Sequence, residues 1–300
     1  MYVILGASGH TGRVVAETLL DGGHKVRVVG RSKQRLEGFT VVGAEIFEAN
    51  VADSAGLTKA FTGAKAVYAL IPPDMTSLNY RAEQDAVIES IAKALETTGV
   101  GHVVALSSFG ADKAEKTGPI AGLHVLEQRL SRVPKLNALF LRAGYFMENL
   151  LPQIGAIKGF GMMAGPVRAD LALPVIATQD IAGAAAGALA KLDFTGHQTR
   201  ELQGQRDLDY SEMAKIIGAA IGLPDLNYVQ LPDDQMIQAM TQMGISKNMA
   251  TLICEMAEAL NNGHVRALEQ RSSANSTPTT FEEFVRTTFV PAYKGLAAGA

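Results

Sequence analysis

The stretch Leu5-Gly6-Ala7-Ser8-Gly9-His10-Thr11-Gly12 decides the fold. It follows Tyr2-Val3-Ile4-Leu5, a short apolar run with β-branched residues. It precedes Arg13–Leu20, in which Val14, Val15, Thr18 and Leu19 recur at helical spacing. The glycines therefore sit where a strand turns into a helix, and that context gives the string its meaning. Gly6 makes the tight turn out of the strand, Gly9 has no side chain to hold a phosphate off the backbone, and Gly12 lets the helix pack closely on the sheet. The helix start offers free backbone N–H groups and the positive end of its dipole to a diphosphate. The bland alternative is a glycine-rich strand–helix turn that holds nothing.

Bulk properties narrow the classes. The chain has 300 residues, room for one large domain or two, and enough to bury a substantial core. Hydrophobic residues make up 47% and charged residues 19%, the balance of a soluble globular protein. The net charge is -3 with no long basic run, which argues against a nucleic-acid partner held by electrostatics. Cys254 is the one cysteine, so no intrachain disulfide forms, and its Leu-Ile-Cys-Glu-Met setting reads as a small packed hydrophobe. The first strand begins at Tyr2, leaving no room for a signal peptide. The longest apolar stretch, Leu171 to Leu189, is broken by Pro174, Gln179, Asp180 and Gly183 and does not read as a membrane span. A cytoplasmic protein is expected. His24, His102, His197 and His264 are scattered, so no metal site is expected.

Short apolar runs alternate with helical patterns through the first half, which predicts an α/β fold with a doubly wound, Rossmann-type parallel sheet. Strands are expected at Tyr2–Leu5, Lys25–Val29, Glu45–Ala49, Ala66–Ile71, His102–Leu106 and Asn137–Leu141. Helices are expected from Thr11 to Asp21, Ser54 to Phe61, Ala82 to Thr97 and Ile120 to Leu130. After about residue 147 glycines and prolines give an irregular section. An alanine-rich helix then begins at Thr178 and runs to about Lys191, and Thr199–Leu202 could add a strand. From Ser211 the pattern is helical: Ser211–Ile221, Asp233–Met243, Asn248–Asn261 and Thr280–Phe289, the last with Thr280 and Glu283 spaced for a capping box. Residues 1–150 are read as the nucleotide domain and 151–300 as a smaller, mainly helical lobe, with about 175–205 returning to the first domain.

The second informative place is Val28-Val29-Gly30-Arg31-Ser32. Dinucleotide sites usually carry an acidic residue at the end of the second strand for the adenosine ribose. Here Gly30 is followed by Arg31, which would pair with a 2′-phosphate, and Ser32 could add a hydrogen bond. That favours NADP(H) over NAD(H); the alternative is a solvated basic turn. Ligands bind beyond the carboxyl ends of such strands. There lie Asn50 and Val51 for the adenine, Leu70, Ile71 and Pro72 along the ribose and nicotinamide path, and Ser107 and Ser108.

Together, Gly6–Gly12, the Arg31 site, the Gly43-Ala44-Glu45 to Asn50-Val51 and Asp53 segment, and Leu141-Arg142-Ala143-Gly144-Tyr145-Phe146-Met147-Glu148-Asn149 resemble the NmrA-like family, atypical relatives of the short-chain dehydrogenases/reductases. The likeness spans roughly residues 1–190 and the general layout of the lobe. It implies an NADP(H) domain, a lobe that closes a cleft over the nicotinamide, and Gly144, Tyr145 and Phe146 beside the cofactor. Asn50 departs from the aspartate common at its place.

Ordinary short-chain dehydrogenases use a Tyr-x-x-x-Lys pair on the helix after strand five. This chain has no tyrosine between Tyr80 and Tyr145. His124-Val125-Leu126-Glu127-Gln128 resembles a pattern of NmrA-like members, and His124 stands near the missing tyrosine as a candidate proton donor or as a holder of the nicotinamide amide. Its alternative is a structural histidine held by Ser107 or Ser108. Hydride transfer to an electrophilic acceptor needs no protein acid. An apolar cleft is expected, lined by Phe146, Met147, Phe160, Met162 and Met163. Met236, Met240 and Met243 read first as core packing. Two functions follow: an oxidoreductase passing hydride from NADPH to a small apolar electrophile such as a quinone or conjugated carbonyl, or a non-catalytic NADP(H) redox sensor acting through a protein partner.

Overall fold

The computed structural model describes residues 1–296. β1 (Tyr2–Leu5) leads through the glycine loop into α1 (His10–Asp21), followed by β2 (Val26–Gly30), the single turn α2 (Gly38–Val41) and β3 (Glu45–Glu48). Then come α3 (Ser54–Phe61), β4 (Ala66–Ala69), α4 (Tyr80–Thr98), β5 (His102–Ser108), α5 (Ala121–Leu130) and β6 (Asn137–Ala143). The chain continues through β7 (Tyr145–Phe146), α6 (Gln153–Phe160), β8 (Met163–Gly165), β9 (Leu173–Ile176), α7 (Thr178–Lys191) and β10 (His197–Leu202). The last part holds β11 (Asp207–Leu208), α8 (Tyr210–Ile221), β12 (Tyr228–Gln230), α9 (Asp233–Gln242), α10 (Lys247–Asn261) and α11 (Phe281–Phe284). A π-helical turn, Val285–Phe289, joins α11 to α12 (Val290–Tyr293).

The central sheet has seven parallel strands in the order β10-β6-β5-β4-β1-β2-β3. Strand order reverses between β1 and β4, which opens a crevice at their carboxyl ends. The sequence reading expected six strands; the seventh is β10, two residues longer than the short run Thr199–Leu202 suggested. Its first four residues are exposed at the sheet edge, so the apolar signal there is weak.

Both faces of the sheet are covered. One carries α1 and α7, where Val15, Ala16 and Leu19 meet Ile181, Ala182, Ala185 and Ala186. The alanines let these two helices come close, and removing the larger Leu19 side chain would cost about 2–5 kcal/mol. The other face carries α3, α4 and α5, packed by Leu57, Phe61, Ile88, Ile91, Leu126 and Leu130. Polar side chains and glycine set the helix ends. Asp53 accepts from the Ala55 N–H at 3.0 Å, and Asn79 caps α4, which Gly99 closes in the left-handed conformation.

A third core holds the lobe, with Met147, Met163, Met213, Ile217, Phe281 and Phe289 fully buried. The lobe is tied to the sheet domain by backbone: β7 pairs with β9 and β9 with β11. α6 was hidden in the sequence because Pro152 stands at its start and Gly155 and Gly159 lie inside it. The Thr280 hydroxyl accepts from the Glu283 N–H at 3.1 Å, half of the capping box its spacing announced. No helix among the described residues is long and apolar enough to cross a membrane.

Candidate functional site

The glycine loop has the geometry of an anion cradle. Gly6 sits at φ +65, in the left-handed region, and its carbonyl accepts from the Gly9 N–H at 2.9 Å. A Cβ on Gly12 would lie 2.4 Å from the Gly6 carbonyl oxygen, so α1 rests against the loop backbone. The N-cap of α1, Gly9, has no side-chain acceptor for the first helical N–H groups. Those donors remain open to an anion, and a diphosphate fits them.

From this loop runs a cleft of about 600 Å³ across the carboxyl ends of the strands. The structure brings most of the sequence-derived residues to its walls. Gly6, Ser8, Gly9, His10 and Thr11 form one end. Arg31 and Ser32 flank it beyond β2, with Val51 nearby. Leu70, Ile71 and Pro72 follow β4, Ser107 and Ser108 end β5, and Gly144, Tyr145 and Phe146 follow β6.

Three residues stand elsewhere. Gly12 is buried beneath the loop and acts through packing, since its Cα faces Gly6 and not the cleft. Asn50 lines an adjoining cavity of about 260 Å³ and spends its Oδ1 on the Ala52 N–H at 3.0 Å. His124 is absent from the cleft wall; its Nδ1 lies 2.9 Å from the Ala111 carbonyl oxygen, and neither Ser107 nor Ser108 holds it. The geometry thus gives His124 a bracing contact on the Ala111 carbonyl. Of the expected apolar lining, Phe146 reaches the cleft. Met147 and Met163 are buried in the lobe core, and Phe160 is 77% exposed. Met240 packs with Ala250 and Cys254, and Met236 beside them, as core packing predicts, whereas Met243 is 65% exposed.

Behind the strand ends lies a charged network. Ser107 donates its hydroxyl to Glu127 Oε1 at 2.6 Å. Arg142 grips both Glu127 oxygens, at 2.9 and 2.6 Å. The bond to Glu127 raises the Arg142 pKa further, and fixes Ser107 with its lone pairs free. A second network joins site and lobe: the Tyr210 hydroxyl donates to that of Tyr145 at 2.7 Å, and Tyr210 stacks on Tyr228. Burial pushes Tyr145 and Tyr210 above the usual phenol range. In the adjoining cavity, Thr76 first and Arg31 more weakly hold Asp74 below the usual carboxylate range.

Other wall residues escaped the sequence reading. Glu148, Asn149, Leu173, Pro174 and Thr178 complete the wall beside Tyr145. Phe109, Ile120, Leu123, Met256, Leu260 and Val265 make an apolar far end, with Tyr80 and Gln84 across from them. Burial lifts the Tyr80 phenol to about 12, and the Gln84 Nε2 donates to the Pro119 carbonyl at 2.9 Å. Glu148 was legible inside the quoted motif, and Met256 and Leu260 at helical spacing. What seats α10 was not legible: Gly118, at φ +56, lets the helix approach so closely that a Cβ there would meet the Leu252 carbonyl at 2.0 Å.

Comparison with known proteins matches this architecture. The profile of the NmrA-like family fits residues 2–285. A (4-alkanoyl-5-oxo-2,5-dihydrofuran-3-yl)methyl phosphate reductase of Streptomyces griseus is 31% identical over 228 residues, 75% of each chain. An NAD(P)H azoreductase of Xenophilus azovorans is 26% identical over 260 residues, covering 85% of this chain and 86% of that one. Among solved structures, an NADPH-dependent quinone oxidoreductase of Escherichia coli complexed with NADPH superimposes with a TM-score of 0.81 at 21% identity, over 96% of this chain and 100% of that one. At that identity the likeness speaks for the fold. The glycine loop, the reversed strand order and the sequence match agree: the chain belongs to the NmrA-like family.

Proposed function

We propose that the protein is an NADP(H)-dependent reductase of small, apolar, electrophilic substrates such as quinones or conjugated carbonyls. The observation that carries this reading is continuity. One cavity runs from the uncapped start of α1 to the apolar patch of Ile120, Leu123, Met256 and Leu260. A dinucleotide would occupy the loop end, and a planar apolar molecule would fit the far end. Two relatives, those of Streptomyces griseus and Xenophilus azovorans, are named as reductases, the second for NAD(P)H.

When bound, NADPH supplies the hydride. The chain's residues bind, orient and exclude water. The N–H groups at His10 and Thr11 hold the diphosphate, and Arg31 with Ser32 takes the 2′-phosphate. Ser107, fixed as a donor to Glu127, offers lone pairs to an amide N–H in the cleft. Phe146, Leu123 and Leu260 shield the reacting region.

The sensor reading draws on one observation: with the Tyr-x-x-x-Lys pair missing and His124 braced on Ala111, no dedicated acid of the short-chain type stands in the cleft. NADPH oxidation by the purified protein with a panel of quinones and enones tests the choice. Turnover supports the reductase; tight NADPH binding without turnover supports the sensor.

A further inference from the structure

Glu148 is the one carboxyl side chain on the wall of the main cleft among the described residues. Its place is set by α7. The Thr178 N–H donates to both Glu148 oxygens at 3.0 and 3.1 Å, and the Thr178 hydroxyl donates to Oε1 at 2.6 Å. The N-cap of α7 is Ala177, which has no acceptor to offer. Glu148 therefore caps this 14-residue helix from outside it.

The glycine loop and the start of α1 line the same cleft. Two helix starts thus border one cavity. Glu148 already occupies the first, and the second is uncapped and shaped for a diphosphate. The titratable group acting on Glu148 from α1 is His10; its own segment and α7 contribute Tyr145, Asn149 and Thr178, none of them an acid or base of the carboxylate or imidazole kind. Arg31, Arg35 and Tyr80 complete the ionisable lining. A bound diphosphate would set further negative charge beside a half-buried carboxylate, and like charges in such a place favour the neutral acid.

We propose that Glu148 takes up one proton when the dinucleotide binds, and so faces the bound diphosphate as a neutral acid and not as a second anion. The proton comes from solvent. Burial alone already raises the Glu148 pKa, against the pull of Thr178 and His10. The proposal rests on the dinucleotide reading of the cleft.

The test is calorimetric titration of the purified protein with NADPH in buffers of different ionisation enthalpy, repeated across neutral pH. Wild type should take up as much as one proton per site, and its Kd should weaken by up to about tenfold per pH unit where free Glu148 is ionised and bound Glu148 is not. NADH, which lacks the 2′-phosphate monoester that itself titrates at about pH 6, reads the uptake by the protein alone, and NADPH should match it only well above that pH. Glu148→Gln should bind with the uptake lost and the pH profile flattened, while His10→Gln should keep the uptake, with its pH window moved upward because the pull of His10 on Glu148 is gone. Binding to wild type without proton exchange overturns the proposal, as does uptake abolished by His10→Gln. Should Glu148→Gln not fold, wild type and His10→Gln alone decide it. A wild type that binds neither NADPH nor NADH overturns the dinucleotide reading, and this proposal with it.

Discussion

Arg142 and Glu127 form a two-pronged ion pair beneath the strand ends, with Nε and Nη2 at 2.9 and 2.6 Å from the two carboxylate oxygens. Glu127 is 6% exposed and also receives the Ser107 hydroxyl. Removing the guanidinium would leave a buried carboxylate uncompensated. Arg142→Ala should therefore cost about 3–5 kcal/mol in chemical denaturation. Replacing both partners with apolar residues of similar volume should cost less than that single change.

Gly12 and Gly6 make a second prediction. A Cβ on Gly12 would sit 2.4 Å from the Gly6 oxygen, against backbone that cannot swing aside. Gly12→Ala should push α1 away from the loop, costing about 1–3 kcal/mol of stability. It should weaken NADPH more than tenfold in a fluorescence titration. Unchanged affinity would mean that the loop does not carry the diphosphate.

The Arg31 side chain borders both the main cleft and the adjoining cavity. Arg31→Ala should weaken NADPH by roughly 1.5–3 kcal/mol, the value of a lost charged hydrogen bond, and leave NADH nearly unchanged. Equal weakening of both cofactors would remove the 2′-phosphate assignment.

The paired phenols of Tyr145 and Tyr210 predict a pH effect. Tyr145→Phe leaves the buried Tyr210 hydroxyl without its partner and should cost about 1–3 kcal/mol, with the double phenylalanine variant recovering part of the loss. Burial makes the folded protein hold these protons more tightly than the unfolded chain does. Their contribution is full below the unfolded phenol value of about 10 and is lost as pH rises through the raised folded values. Burial raises Tyr68, Tyr80 and Tyr228 as well, so late phenolate absorbance in an alkaline titration should lose the amplitude of two tyrosines in the double phenylalanine variant; an unchanged late amplitude would contradict the pairing.

The sequence held the part of the fold that local chemistry dictates. Gly6, Gly12 and the flanking apolar runs imposed a strand–turn–helix, and Asp53, Gly99 and Thr280 marked helix ends through caps that act within a few residues, while the Asn79 cap that starts α4 two residues before the expected Ala82 went unread. Elements shaped by distant partners were harder to read. β10 is a strand because β6 offers it an edge, and α6 survives its glycines because Ile157 enters the lobe core. The site divides the same way. Arg31 follows a strand end and was legible from position, whereas Tyr145 came from the resemblance to the NmrA-like family. Met256 and Leu260 reach the cleft because Gly118 lets α10 approach, a contact between segments more than 130 residues apart that no local pattern announces. His124 stands on α5 as its position suggested, and the Ala111 carbonyl that its Nδ1 meets is a tertiary partner that no local pattern announces.

The most direct test of the reductase assignment is anaerobic turnover. Purified protein, NADPH and a panel of quinones and enones should consume one NADPH per acceptor reduced, with a rate that saturates in both and falls in Gly12→Ala. Tight NADPH binding with no acceptor reduced would contradict the assignment and leave the protein a sensor of the cofactor it holds.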